Sequence, residues 1–375
     1  MKQGKLKSSA LLTLLLLAAV FTANAQTDPI NIVTTAVPFL RISPDARAGG
    51  MGDIGIATSP DANSSFWNVA KAPFATSKGA LSATYTPWLK DIAQDVYLAT
   101  LAGYYQLDEE QALSGSIRYF NLGDIQFTDF SGQPLQTYRP REFAIDFGYS
   151  RKLSDKLGVG VSLRYINSSL ANGEVGGTIY KAGSAVAGDL SLYHNGLNEE
   201  GQGFTWGIAL SNLGSKIGYT NNAQTKDFIP ANLGIGGAYT SVFDETSKIT
   251  FGLDINKLLV PAIPADSNGL ETYHNYGVFE SWFHSFSNKA YQASIGAEYG
   301  YNDQFFVRAG YFFEGKNAGN RKYATVGVGL KYDAFGFNFS YLVPSGNGIT
   351  RNPLSNTLRF SLVFDLGGTG DNSGE

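Results

Sequence analysis

From Gly79 onward the chain alternates apolar and polar residues with a period of two, and keeps doing so almost to its end. In Thr357–Leu366, residues Leu358, Phe360, Leu362, Phe364 and Leu366 share one face, while Thr357, Arg359, Ser361 and Asp365 share the other. Phe335, Phe337, Phe339 and Tyr341 alternate with Gly336, Asn338 and Ser340. Ile249 to Asn256 and Leu157 to Tyr165 repeat the pattern. Such runs predict about fourteen strands, beginning near residues 79, 95, 111, 142, 156, 182, 202, 231, 246, 290, 303, 322, 335 and 356. Most are about nine to thirteen residues long. A tilted strand crossing a bilayer needs roughly nine to eleven residues, whereas strands of soluble domains usually have about five or six.

The connections alternate as well. Short links at Asp108–Glu110, Ser154–Asp155, Asp244–Thr246, Asn302 and Asp333 are interleaved with long ones at Asn121–Arg141, Asn167–Lys181, Asn212–Pro230, Leu258–Lys289 and Pro344–Ser355. Short turns at one rim and long loops at the other are the habit of transmembrane barrels, with the turns periplasmic and the loops extracellular. A soluble β-sandwich requires neither this asymmetry nor strands of this length. The sequence therefore predicts an all-β fold, a transmembrane antiparallel β-barrel of about 14 strands over residues 79–366. An even strand number returns both termini to the periplasmic side, with a periplasmic tail over 367–375.

Residues 26–78 break the pattern. Pro29, Pro38, Pro44, Pro60 and Pro73 punctuate a stretch with little alternation, which reads as an N-terminal hatch segment lying before or inside the barrel. Before it, Lys2, Lys5 and Lys7 precede an apolar run from Ala10 to Phe21, and Ala23-Asn24-Ala25 fits a small-x-small cleavage site. That run is too short for a membrane helix, so residues 1–25 are expected to be a signal peptide.

Composition narrows the class further. The chain has 21 Tyr, 25 Phe and 44 Gly, and only 16% charged residues, against a usual quarter. Without the leader's three lysines, 25 basic residues face 32 acidic ones, a net charge near −7. That argues against nucleic acid, which needs a basic footprint. There is no cysteine, hence no disulfide framework, thiol chemistry or lipid-bearing N-terminus.

Motifs resembling chemistry do not survive their context. Gly50-Met51-Gly52-Asp53-Ile54-Gly55 fits a dinucleotide fingerprint, but no strand precedes it and no long helix follows, so backbone packing in a plug explains it better. His194, His274 and His284 lack ligand spacing, and the pairs Glu109-Glu110 and Glu199-Glu200 fall in turns. No catalytic constellation, cofactor site or metal site is expected.

The polar face carries Arg118, Asp146, Arg164, Asp189, Asp254, Glu298, Arg308, Lys331, Arg359 and Asp365. A basic residue facing lipid costs about 2–4 kcal/mol near the midplane, so these should point inward, where they either pair across the lumen and fill it or line a substrate path. Within the long loop after Leu258, Phe279, Trp282, Phe283 and Phe286 recur at helical spacing over Val278–Ser287. Such a helix either packs on the rim or lipid interface, or offers a protein-binding surface. Tyr138, Arg139 and Phe228 in other loops would join that surface.

Two segments carry a resemblance. Ala46-Arg47-Ala48-Gly49-Gly50-Met51-Gly52, then Asp61 through Asn68 ending Phe66-Trp67-Asn68, look like the hatch of FadL-type outer-membrane barrels, with Val69 where that pattern carries Pro. Arg47, Gly50, Gly52, Asp53, Trp67 and Asn68 are the hatch residues so implied. Thr34 through Asp45, Tyr85-Thr86-Pro87-Trp88-Leu89, Glu142 to Asp146, Tyr149 to Leu153, Tyr341-Leu342-Val343-Pro344 and Asn352 to Phe360 are more specifically similar to the PorV family of the type IX secretion system. The resemblance implies a non-enzymatic outer-membrane protein that collects cargo bearing a C-terminal signal domain from a large translocon barrel. It passes that cargo to a surface sortase, which joins it to lipopolysaccharide. The competing expectation is a FadL-like transporter of hydrophobic small molecules.

Overall fold

The computed structural model describes residues 32–88, 95–128, 131–175, 177–221, 226–264, 266–343 and 356–367. The expected leader and most of the C-terminal tail lie outside them. Strands β1 (Gly79–Pro87), β2 (Val96–Gln106), β3 (Gln111–Leu122), β6 (Arg141–Lys152), β7 (Leu157–Ser169), β10 (Gly183–Leu197) and β11 (Gly203–Gly214) form one half of a closed barrel. The other half is β12 (Asn232–Val242), β13 (Ser247–Leu258), β14 (Tyr291–Tyr301), β15 (Phe305–Glu314), β16 (Lys322–Tyr332), β17 (Phe335–Val343) and β18 (Leu358–Asp365). Each strand pairs antiparallel with its neighbours, and β1 with β18 closes the fourteen-stranded ring. Each begins within two residues of the position expected from periodicity. Two small hairpins, β4–β5 (Ile125–Thr128, Pro134–Tyr138) and β8–β9 (Gly173–Val175, Thr178–Tyr180), stand in the long loops.

Period two explains which side chain faces where. On β18, Phe360, Leu362 and Phe364 are exposed on the outer wall while Arg359 and Ser361 are buried inside. The exposed aromatics gather near the two ends of the barrel. Tyr105, Tyr239, Tyr301, Phe305, Tyr332 and Phe335 lie toward the short turns, and Tyr85, Tyr165, Tyr291, Tyr311 and Phe313 toward the long loops. These are the two interfacial girdles of a barrel set in lipid. The turns are tight because Asn302 and Asp303 both adopt positive φ (53° and 52°), the geometry a two-residue hairpin requires, and Asp333 does the same at φ 51°.

The segment before β1 fills the lumen. It holds a short helix at Ala46–Gly50, another at Ser64–Trp67 and a 3-10 stretch at Val69–Phe74. It runs the height of the barrel: Val33 N–H donates to Asn317 O and Ala36 N–H to Phe228 O among the long loops, whereas Lys78 N–H donates to Gly367 O at the other end. The barrel's own ends, Gly79 and Asp365, lie together at the short-turn rim, as an even strand number requires. The hatch, however, carries residues 33–36 to the opposite mouth. It also bonds to both sides of the closing seam: Ala46 N–H to Ser361 Oγ (2.9 Å) on β18, and Asn63 Nδ2 to Ser82 Oγ (3.4 Å) on β1.

Candidate functional site: the plugged lumen and the long-loop rim

The hatch residues implied by the sequence all make wall or internal contacts. Arg47 spans Glu298 on β14 (2.8 Å) and Asp61 (2.9 Å), with Glu298 also taking Arg308 of β15 at 2.6 Å. Asp53, at φ 62°, receives the Tyr323 hydroxyl (2.6 Å) and faces Arg359 (3.2 Å). Trp67 donates its indole N–H to Asp45 Oδ2 (3.0 Å), and Asn68 donates to Leu192 O (2.8 Å) and Ile56 O (3.1 Å). Gly52 is left-handed (φ 74°), donates to Thr325 Oγ1 at 2.9 Å, and lies flat on the wall. The wall there is itself glycine: Gly296 and Gly310 face each other across β14 and β15, and a Cβ on Gly310 would sit 2.1 Å from Gly52 N and Met51 C. Gly50 is also tightly packed, though less so, with Gly327 Cα 3.0 Å from where its Cβ would be. The glycine-rich run is thus a packing surface, not a phosphate cradle.

Further side chains hold the plug: Asp254 is among the inward charges expected from the strand pattern, whereas Lys71, Asp45, Arg41, Glu314 and Arg321 were not singled out from sequence. Asp254 of β13 accepts both Gly55 N–H (2.8 Å) and Ile56 N–H (3.0 Å). Lys71 is fully buried and donates to Gly55 O at 2.6 Å. Asp45 caps the Ala46–Gly50 helix through Ala48 N–H at 2.8 Å. Arg41 and Arg321 clasp buried Glu314 at 2.8 and 2.7 Å. On the far wall Arg118, Asp146, Arg164 and Asp189 form a buried ladder, Arg164 reaching Asp189 at 2.8 Å and also bonding Asp146 and Asn212. The inward charges therefore face the lumen, as expected, with Lys331–Asp365 (2.7 Å) half-exposed at the short-turn rim. The only signal for the others in sequence was charge in a proline-rich or alternating context, which does not reveal partners.

A small cavity with a mixed polar and apolar lining lies beside the plug. It has a volume of about 90 Å³ and is lined by Arg41, Arg118, Arg164, Arg321 and Arg359 together with Trp88 and Phe312. Beside it, one residue of β10, Asp189, faces two of β11, Ser211 and Asn212, and Asn212 takes φ 57°. This bulge kinks the wall, and Asp189 seals it by accepting Asn212 N–H at 2.7 Å.

At the long-loop end, the loop between β13 and β14 contains two helices. Ser267–Asn275 was not anticipated: its sequence is polar, and its start depends on the Asp266 side chain accepting Gly269 N–H at 2.7 Å. Val278–His284 matches the expected helix and continues as a 3-10 turn through Ser287. Its polarity is inverted. Ser281 and Ser285 are wholly buried, while Phe279, Phe283 and Phe286 are 72%, 76% and 57% exposed. Trp282 is half-buried, edge-on to Phe279 at 4.8 Å. Tyr138 is partly exposed, its hydroxyl 2.6 Å from Ser169 Oγ. Arg139 is exposed and forks onto Asp124 (2.6 and 2.8 Å), whose carboxyl this hydrogen bonding holds below its usual range. Phe228 departs from expectation: it is buried, edge-to-face with Tyr273 at 5.3 Å and beneath the Lys216 ammonium at 4.2 Å, so it anchors the loop from below and adds nothing to its surface.

Comparisons with known proteins fit this architecture. The toluene transporter TbuX of Ralstonia pickettii is similar with a TM-score of 0.55 at 13% identity, covering 86% of this chain and 98% of that one. The monoaromatic hydrocarbon channel CymD follows at 0.54 and 14%, covering 90% and 100%, and the toluene transporter TodX of P. putida at 0.52 and 14%, covering 87% and 99%. At such identities the likeness is one of fold alone. A comparison with curated proteins finds no match. The family model described as type IX secretion system protein PorV matches residues 24–265, hatch and more than half of the barrel, and the chain belongs to that family.

Proposed function

We propose that this barrel is a non-enzymatic carrier of the type IX secretion system. Its long loops would face the cell surface and take up secreted proteins by their C-terminal signal domains as these leave the large translocon barrel. It would then deliver them to the surface sortase that attaches them to lipopolysaccharide. The observation that carries this reading is the inverted helix at Val278–His284, three phenyl rings presented outward on a scaffold of buried serines. Exposed aromatic clusters of this kind mark protein contacts. Family membership supplies the secretion pathway, and the filled lumen supports cargo handling on the outside of the barrel rather than through it. The test is gentle-detergent isolation of the tagged protein from its own membranes with mass spectrometry of its companions. Secreted proteins sharing a C-terminal β-domain, with a very large barrel and a sortase, are the expected result. A barrel accompanied only by lipid or fatty acid would sink the proposal.

That second outcome would favour transport of a hydrophobic small molecule. The wall bulge at Asn212, beside the residual cavity, is the feature that favours it. Five arginines around that cavity weigh against an apolar passenger.

A further inference from the structure

The short turns carry acidic pairs, Glu109-Glu110, Glu199-Glu200 and Asp244-Glu245. Across the tops of β14, β15 and β16 the exposed charges are instead Lys289, Lys316 and Lys322. The backbone draws these three together. Gly315 N–H donates to Tyr291 O at 2.9 Å, and a Cβ on Gly315 would lie 3.2 Å from Lys289 O, so Lys316 stands next to Lys289. Lys322 is the register partner of Phe313, its ammonium 5.0 Å from that ring. Directly below, Tyr291, Tyr311 and Phe313 face outward on the lipid side, each about two-fifths exposed. Glu314, in the same stretch, is buried and clasped by Arg41 and Arg321.

We infer that this corner of the rim is a binding site for a lipid with a phosphorylated headgroup. The lysines would grip phosphate, and the acyl chains would lie along the aromatic wall beneath. Two observations fix the occupant as a lipid: the basic patch is continuous with the lipid-facing girdle, and its charge complements an anionic headgroup. A protein partner or a free ion would need the lysines but not the wall. Nothing in this site is shared with the phenyl helix, so it stands or falls apart from cargo capture.

The full-length protein in detergent micelles, given lipid A with both phosphates or the same lipid stripped of them, allows retention to be read by native mass spectrometry. Each lysine near an anionic surface contributes about a fivefold change in binding. The triple variant Lys289→Gln/Lys316→Gln/Lys322→Gln should therefore lose about a hundredfold, the corresponding Arg triple should hold its lipid, and Lys156→Gln at the other rim should behave as wild type. Single Lys316→Gln, on a short exposed turn, keeps the measurement possible if the triple folds badly. Equal retention by wild type and variants would overturn the site, as would equal retention of the stripped lipid. Displacement by millimolar inorganic phosphate would also end the lipid reading.

Discussion

Gly310→Ala is the sharpest probe of how the plug sits. The added methyl would lie 2.1 Å from both Gly52 N and Met51 C, and 2.6 Å from Met51 O. Ordinary contact begins near 3.4 Å, so hatch or wall must move by more than an ångström. Both obstacles are backbone, and Gly52 is pinned by Thr325 Oγ1 at 2.9 Å, so no rotamer change relieves the clash. Overpacking of this kind costs about 1–3 kcal/mol. Gly115→Ala is the matched control, because its Cβ would meet only Asp146 O at 3.4 Å. Two assays apply: the temperature at which the folded band on a cold detergent gel converts to the unfolded one, and protection of the hatch lysine Lys71 from amine-reactive label. Gly310→Ala should lower that temperature and speed Lys71 labelling, while Gly115→Ala should do neither. Unchanged midpoint and unchanged labelling in Gly310→Ala would refute the seating of Gly52 on the β14–β15 wall.

Asp254→Ala would strand two buried hatch N–H groups and should cost about 2–4 kcal/mol in denaturant unfolding; a loss under 1 kcal/mol would mean the hatch does not depend on that carboxylate. Phe279→Asp with Phe283→Asp should leave the gel midpoint unchanged, since both rings are exposed, yet cut co-purifying cargo at least about tenfold; undiminished cargo would remove the phenyl stripe from the docking surface. Burial raises the carboxyl of Asp227, despite His274 and Lys216 nearby, and the loop is latched by reciprocal Ile217–Asp227 backbone hydrogen bonds at 2.9 Å. A raised folded value favours the protonated form, so the latch is firmest below the usual carboxylate range and loosens as pH climbs through the raised value. Burial likewise disfavours the charged form of Lys216. Exchange at the Ile217 and Asp227 amides, corrected for intrinsic rate, should therefore slow between pH 7 and pH 4, and a flat profile would count against the buried carboxyl.

The barrel was legible because lipid imposes a two-sided rule on every strand. Leu358, Phe360 and Leu362 can face only hydrocarbon while Arg359 can face only the lumen, so a single alternating run fixes both register and side. The loops obey no such rule. The hairpins β4–β5 and β8–β9 and the helix Ser267–Asn275 are polar and short, and their backbone is stabilised by local caps and cross-loop bonds that leave no periodic trace. Phe228 shows the limit for single residues: an aromatic in a long loop reads as exposed until Tyr273 and Lys216, which cover it, are placed. The hatch was recognisable as irregular, but partners such as Asp254 and Glu314 lie some two hundred or more residues away in sequence from the groups they hold.

The hatch spans the lumen end to end and is tied to both the first and the last strand, which constrains the order of assembly. A ring already closed would have to admit residues 32–78 lengthwise, past inward side chains such as Arg118, Arg164, Arg308 and Arg359. Closure around a segment already in place avoids that threading. Ser361 then acts as a meeting point, accepting Ala46 N–H at 2.9 Å and sharing a 2.7 Å hydrogen bond with Thr84 of β1. The plug would in this sense be a mandrel, trapped as β18 zips onto β1.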